Sequence, residues 1–148
     1  MKLDISNRNL TEFPYELITP DITEINCSHN NITSLDGLPS WIKKISCSNN
    51  KITVLDNLPV GLEELNCENN KITNLFIPEG LQELGCDNNK ISYLQKLPQG
   101  LKNLSCHDNR LSSLPELPQE LQYLSCYCNK LQFLPELPQG LQVLFCSD

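Results

Sequence analysis

The sequence predicts a solenoid of parallel β-strands, one strand to each turn, and three observations carry that prediction. The phrase LxxLxCxxNxLxxL, in which Ile can stand for Leu, opens at Ile22, Ile42, Leu62, Leu81, Leu101 and Leu121, and a seventh copy from Leu141 runs through Cys146. The openings are 20, 20, 19, 20, 20 and 20 residues apart. So short a period has room for one strand and one return segment, which gives a stacked array and not a domain closed around one centre. Within each copy, apolar fourth and sixth places alternate with polar third, fifth and seventh places, the period of a strand with one buried face.

Places are counted from the first Leu or Ile of each copy. Residues 1–21 come first and deviate: Leu3, Ile5, Leu10 and Phe13 fall at places 4, 6, 11 and 14, but Arg8 stands where the later copies have Asn. An end unit lacks a preceding neighbour, so 1–21 is expected to be an N-terminal capping repeat and 22–148 the array. In the full copies, places 1, 11 and 14 must also turn inward, so the chain coils around them. Asn recurs at place 9 as Asn30, Asn50, Asn70, Asn89, Asn109 and Asn129. The chain leaves the strand there, and a short side chain with both donor and acceptor can bridge successive turns as a buried ladder. The return segments, such as Leu117-Pro118-Gln119-Glu120, are short and carry a proline, so they cannot hold a helix. An extended or polyproline-like stretch or a single 3₁₀ turn is expected on the convex face, with gentle curvature. Gly61, Gly80, Gly100 and Gly140, just before the next copy, are expected at positive φ.

Seven of the eight cysteines, Cys27, Cys47, Cys67, Cys86, Cys106, Cys126 and Cys146, take place 6, and the first unit has Ile5 there. The place therefore asks for a small apolar filler. Stacked strands set these sulfurs about 4.8 Å apart on parallel Cα–Cβ bonds, whereas a disulfide needs Cβ atoms about 3.8 Å apart and converging. Buried thiols are expected, and with them a reducing, intracellular and cytoplasmic setting. No basic stretch followed by an apolar segment and cleavage site opens the chain.

The run Leu-Pro-Glu-Leu-Pro-Gln-Gly-Leu-Gln-Val-Leu at 134–144, set in a 20-residue period, resembles the short leucine-rich repeats of bacterial type III secreted effectors. Cys47-Ser48-Asn49-Asn50 is similar to cysteine-bearing repeats of giant DNA viruses and some environmental bacteria. The resemblance covers residues 22–148 and implies a leucine-rich-repeat solenoid with a parallel β-sheet on its concave face. It also implies the holding of another protein or peptide, in host cytoplasm for an effector or viral protein. Some such effectors attach a ubiquitin-ligase domain, and no residues here match one.

A net charge of −7 removes counterion release as a general driving force, so neither nucleic acid nor an anionic membrane is an expected partner. Places 3, 5, 7 and 8 are expected to face the concave surface, where two patches emerge. Glu64, Glu68, Glu83 and Asp87, with Asp108 nearby, form an acidic centre. Tyr123, Tyr127, Val143 and Phe145, flanked by His107 and Cys128, form an apolar and aromatic patch, and aromatics of this kind anchor protein interfaces. A basic row, Lys51, Lys71, Lys90, Arg110 and Lys130, repeats at place 10 and is read as a solvated ridge against lateral aggregation. His107, Asp108 and Cys128 lack the convergence that a nucleophile or metal centre needs, so no catalytic residue, metal or cofactor is expected. The sequence thus points to a non-catalytic interaction module. Its alternatives are a self-assembling protein that pairs through an uncapped C-terminal strand as a homodimer, or the recognition arm of a longer effector.

Overall fold

The structure is a computed structural model that describes residues 1–147; Asp148, at place 8 of the last copy, lies outside them. Eight strands form one parallel sheet in chain order: β1 (Lys2–Asp4), β2 (Glu24–Asn26), β3 (Lys44–Ser46), β5 (Glu64–Asn66), β7 (Glu83–Gly85), β8 (Asn103–Ser105), β9 (Tyr123–Ser125) and β10 (Val143–Phe145). Each strand is places 3 to 5 of its copy. The register never slips, so Ile45 faces Leu65 and Leu65 faces Leu84 even across the 19-residue unit. β1 joins the same ladder, with Leu3 opposite Ile25.

The core runs the length of the stack. Places 1, 4, 6 and 11 of the copies opening at Ile42, Leu62, Leu81 and Leu101 are shut off from water: Leu62, Leu65, Cys67 and Ile72 are at most 2% exposed. The return segments add a place that the periodicity did not mark as core. Leu38, Leu58, Leu97 and Leu117, each just before a proline, are buried as well.

Opposite the sheet the chain is extended, as expected. A second, two-stranded parallel pair, β4 (Val54–Leu55) with β6 (Asn74–Leu75), forms there, and a 3₁₀ turn occurs at Tyr15–Leu17. Each return closes with a turn from the place-1 N–H to the carbonyl three residues back, that of Thr19 for Ile22 and of a proline in the others, as from Leu101 to Pro98 at 3.1 Å. The glycine expectation fails here: Gly61, Gly80, Gly100 and Gly140 do not adopt positive φ. The same turn forms at Leu121 with Glu120 in the glycine's place, so nothing in it demands glycine. The left-handed residue is instead place 8 of every full copy: His29, Asn49, Asn69, Asn88, Asp108 and Cys128 have φ between 51° and 56°. Asn and Asp accept that conformation more readily than other residues with a Cβ, which explains why this place is rich in Asn.

The bend at place 8 delivers the ladder. Asn50 donates its amide to the carbonyls of Cys27 (3.0 Å) and Cys47 (3.1 Å) and accepts the Ile32 N–H at 2.9 Å, tying two units together. Asn70, Asn89, Asn109 and Asn129 repeat the pattern. At the first unit the ladder ends: Asn30 accepts the backbone N–H groups of Arg8 and Leu10, both at 3.0 Å.

The thiols from Cys27 to Cys126 at place 6 are buried. Cys146 is exposed, contrary to the expectation for all seven, because β10 has a single strand neighbour, β9. Burial pushes Cys27 up to about 12, and Cys47, Cys67, Cys86 and Cys106 well above an ordinary thiol. The cations at place 10 are exposed, and their N–H groups bond the place-11 carbonyl of the preceding unit, as from Lys71 to Ile52 at 2.9 Å.

Candidate functional site

The open sheet face is built from places 3, 5 and 7, and the structure divides it much as the sequence does. In the acidic half, Glu64 pairs with Lys44 at 2.6 Å and Glu83 is exposed. Gly85 is the one residue without a side chain at place 5, and a Cβ there would stand 3.1 Å from Glu68 Oε1. Glu68 therefore leans over the glycine, and a depression of about 350 Å³ opens between Lys44, Glu64, Glu83 and Tyr123. Burial pushes the Glu68 carboxyl up, and the nearby Asp87 adds to the effect.

Asp87 departs from its expected place on the open surface. It is 4% exposed, and its carboxylate accepts the Ser105 hydroxyl at 2.8 Å and the His107 N–H at 2.9 Å. Nε2 of His107 lies 3.3 Å from the same carboxylate. Burial pushes the Asp87 carboxyl up, against the opposing pull of Ser105 and His107. Asp87 is thus a support beneath the face, whereas Glu83 is open to solvent.

His107 joins the two halves. Its Nδ1 lies 2.9 Å from Asp108 Oδ2, and its ring stacks on Tyr127 with centroids 4.4 Å apart and planes 11° apart. Beyond it, Tyr123 meets Phe145 edge to face at 6.1 Å. Phe145 and Val143 are exposed, at 52% and 37%.

His107, Tyr123, Tyr127 and Phe145 surround a cup of about 300 Å³ whose fifth lining residue is Ser125. Sequence reasoning missed Ser125. It is 1% exposed, and its Oγ has no hydrogen-bond partner, the one buried side-chain polar atom in that condition among the described residues. The available signal was a serine at place 5 with tyrosines two residues to either side and a phenylalanine at the same place of the next copy. Among the described residues, no three His, Cys, Asp or Glu side chains are arranged to hold a metal ion.

One short parallel strand per turn, an asparagine ladder behind it and a variable sheet face define a leucine-rich-repeat protein, and this chain is one. The leucine-rich-repeat family profile matches residues 61–84. Three of the solved structures similar to it are leucine-rich-repeat effectors. YopM, a leucine-rich effector protein from Yersinia pestis, aligns at 33% identity and a TM-score of 0.83 over 87% of this chain and 37% of its own. YopM from Yersinia enterocolitica aligns at 29% and 0.72, over 97% of this chain and 36% of its own. The leucine-rich-repeat domain of a Shigella effector aligns at 32% and 0.82, over 90% and 61%. The chain therefore spans between 36% and 61% of the length of these structures. No curated protein matches it. Among the described residues, no helix is long and apolar enough to cross a membrane.

Proposed function

We propose that this chain is a non-catalytic binding module that holds a partner polypeptide on the concave sheet face, chiefly through Tyr123, Tyr127, Val143, Phe145 and His107. Glu64, Glu68 and Glu83 extend that surface toward the N-terminal half. The observation that supports this most is the aromatic cup over Ser125, because rings at places 3, 5 and 7 add nothing to the repeat core and aromatic side chains anchor interfaces. The effector similarity supports the same class, and the chain is then the recognition arm of a longer protein, with residues 1–21 as its N-terminal cap. The buried thiols suit a reducing compartment such as host cytoplasm.

The test replaces Tyr123 and Phe145 by Ser. The expected result is loss of the captured partner with an unchanged urea midpoint; capture of the same partners at the same level by both proteins refutes the reading. A second reading, a dimer joined through β10, draws on the exposed Val143 and Phe145 beside an edge strand. Sedimentation equilibrium separates the two: a mass that doubles with concentration favours the dimer, and a constant monomer mass favours the interaction module.

A further inference from the structure

We infer that the cup formed by Tyr123, Tyr127, Phe145 and His107 over Ser125 receives an arginine side chain of the bound polypeptide. The inference rests on the concave face being a protein-binding surface and adds the chemistry of the group that enters it.

Three features select the guest. The first is the Ser125 hydroxyl. Ser105, one unit earlier at the same place, gives its hydroxyl to Asp87, whereas Ser125, buried where it lines the cup, has no partner for its hydroxyl among the described residues. Buried hydroxyls are nearly always satisfied, so one facing a lined cup calls for a polar atom from outside. A purely apolar guest leaves it as it is.

The second is the wall. Aromatic faces carry negative quadrupoles and attract cations, and the planar guanidinium also stacks on them. The third is the field. Asp87 and Asp108 lie behind His107, and the Tyr127 phenol is pushed up by burial first and then by those two carboxylates. An anion is repelled there, and a neutral amide gains little from the rings. A flat cation with several N–H donors meets all three conditions, because its plane can lie against a ring while one edge, on a small displacement of the cup's side chains, donates to Ser125 Oγ. The ammonium of lysine is compact and strongly hydrated, and loses more on entering. The guest enters beside Phe145, the most exposed of the aromatic walls at 52%.

The experiment titrates the chain with N-acetyl-arginine amide, N-acetyl-lysine amide and the neutral isostere N-acetyl-citrulline amide, following the ring resonances of Tyr123, Tyr127 and Phe145 by NMR. The arginine amide is expected to shift them saturably, and the citrulline amide to bind about tenfold more weakly. Ser125→Ala is expected to weaken arginine binding about threefold or more while its urea midpoint stays level or rises, since it removes an unpaired buried hydroxyl. Equal binding of the citrulline or lysine amide overturns the assignment. So does the absence of saturable shifts up to about 50 mM, or unchanged arginine binding in Ser125→Ala. The concave-face reading fails separately, when the Tyr123 and Phe145 double variant still captures every partner.

Discussion

Replacing Asn89 by Ala tests the load carried by one rung of the ladder. Asn89 donates its amide to the carbonyls of Cys67 at 3.0 Å, Cys86 at 3.1 Å and Asp87 at 3.0 Å, and accepts the Ile72 N–H at 2.9 Å. The three carbonyls each retain another donor: the Asn70 amide at 3.1 Å for Cys67, the Asn109 amide at 2.9 Å for Cys86, and the Asn69 N–H at 3.0 Å for Asp87. The Ile72 N–H retains none among the described residues, in a residue that is 0% exposed. One stranded buried donor costs about 1–3 kcal/mol, and the weakened carbonyl contacts add to it, so the expected loss is about 3 kcal/mol. Lys90 is the control. It is exposed, its side chain makes no hydrogen bond or ion pair among the described residues, and Lys90→Ala should change stability by less than about 0.5 kcal/mol. Urea unfolding followed by far-ultraviolet circular dichroism measures both, with the m-value compared to show whether unfolding stays cooperative. Equal losses for the two variants, or a loss below about 1 kcal/mol for Asn89→Ala, would show that the ladder does not hold the stack.

Two further outcomes follow from the same geometry. The protein should lose stability in alkali: unfolded thiols ionise from about pH 8.5, whereas buried Cys27 holds its proton to about 12 and Cys47, Cys67, Cys86 and Cys106 also stay protonated. The folded state then binds more protons than the unfolded one, so stability complete below about pH 8.5 falls as pH rises, by up to about 1.4 kcal/mol per unit for each thiol; urea midpoints that stay flat from pH 8 to 10.5 would contradict the burial. Cys128 occupies the left-handed place 8 with φ 51°, where Asn49, Asn69 and Asn88 stand in earlier copies, so Cys128→Asn should stabilise by about 0.5–1 kcal/mol; a lowered urea midpoint would show that side-chain packing, not backbone strain, governs this place.

What was legible in the sequence is what the stack repeats identically. Leu65 meets the same neighbours as Leu84 and Leu104, so the apolar places, the register and the Asn ladder all appear as periodicity. Leu97 and Leu117 were passed over as core because each precedes a proline in a segment too short for a helix, although an extended segment can bury a side chain equally well. The glycines misled because the turn closed by Pro98 and Leu101 needs no positive φ, while the strained residue hid behind the Asn preference at place 8. Tyr123, Tyr127 and Phe145 stood out because aromatic rings at strand-face places have no role in the core. Asp87 stood out as a carboxylate, but its burial did not, and Ser125 did not at all, because that burial arises from neighbours one unit away: His107 and Ser105 bond the aspartate, and the serine sits among the residues lining the cup.

These two residues change how the face is understood. An acidic centre and an aromatic patch, read separately along the chain, meet at one side chain, because His107 contacts Asp87 with one nitrogen, Asp108 with the other and Tyr127 with its plane. The aromatic ring is therefore positioned by a carboxylate that solvent scarcely reaches. Burying that carboxylate is unfavourable, and the Ser105 hydroxyl and the His107 N–H offset the cost while directing the imidazole toward Tyr127. The core beneath is indifferent to this arrangement, since Cys86 and Cys106 fill place 6 whatever stands at place 7. A repeat of this kind can hold its stack constant and vary its face, and here the variation concentrates in the units from Leu81 to Phe145. The acidic depression around Gly85 and the cup over Ser125 share Tyr123 and so border one continuous surface. A polypeptide lying across the strands would meet the carboxylates and the rings in succession, and basic residues in it would find complementary groups at both places.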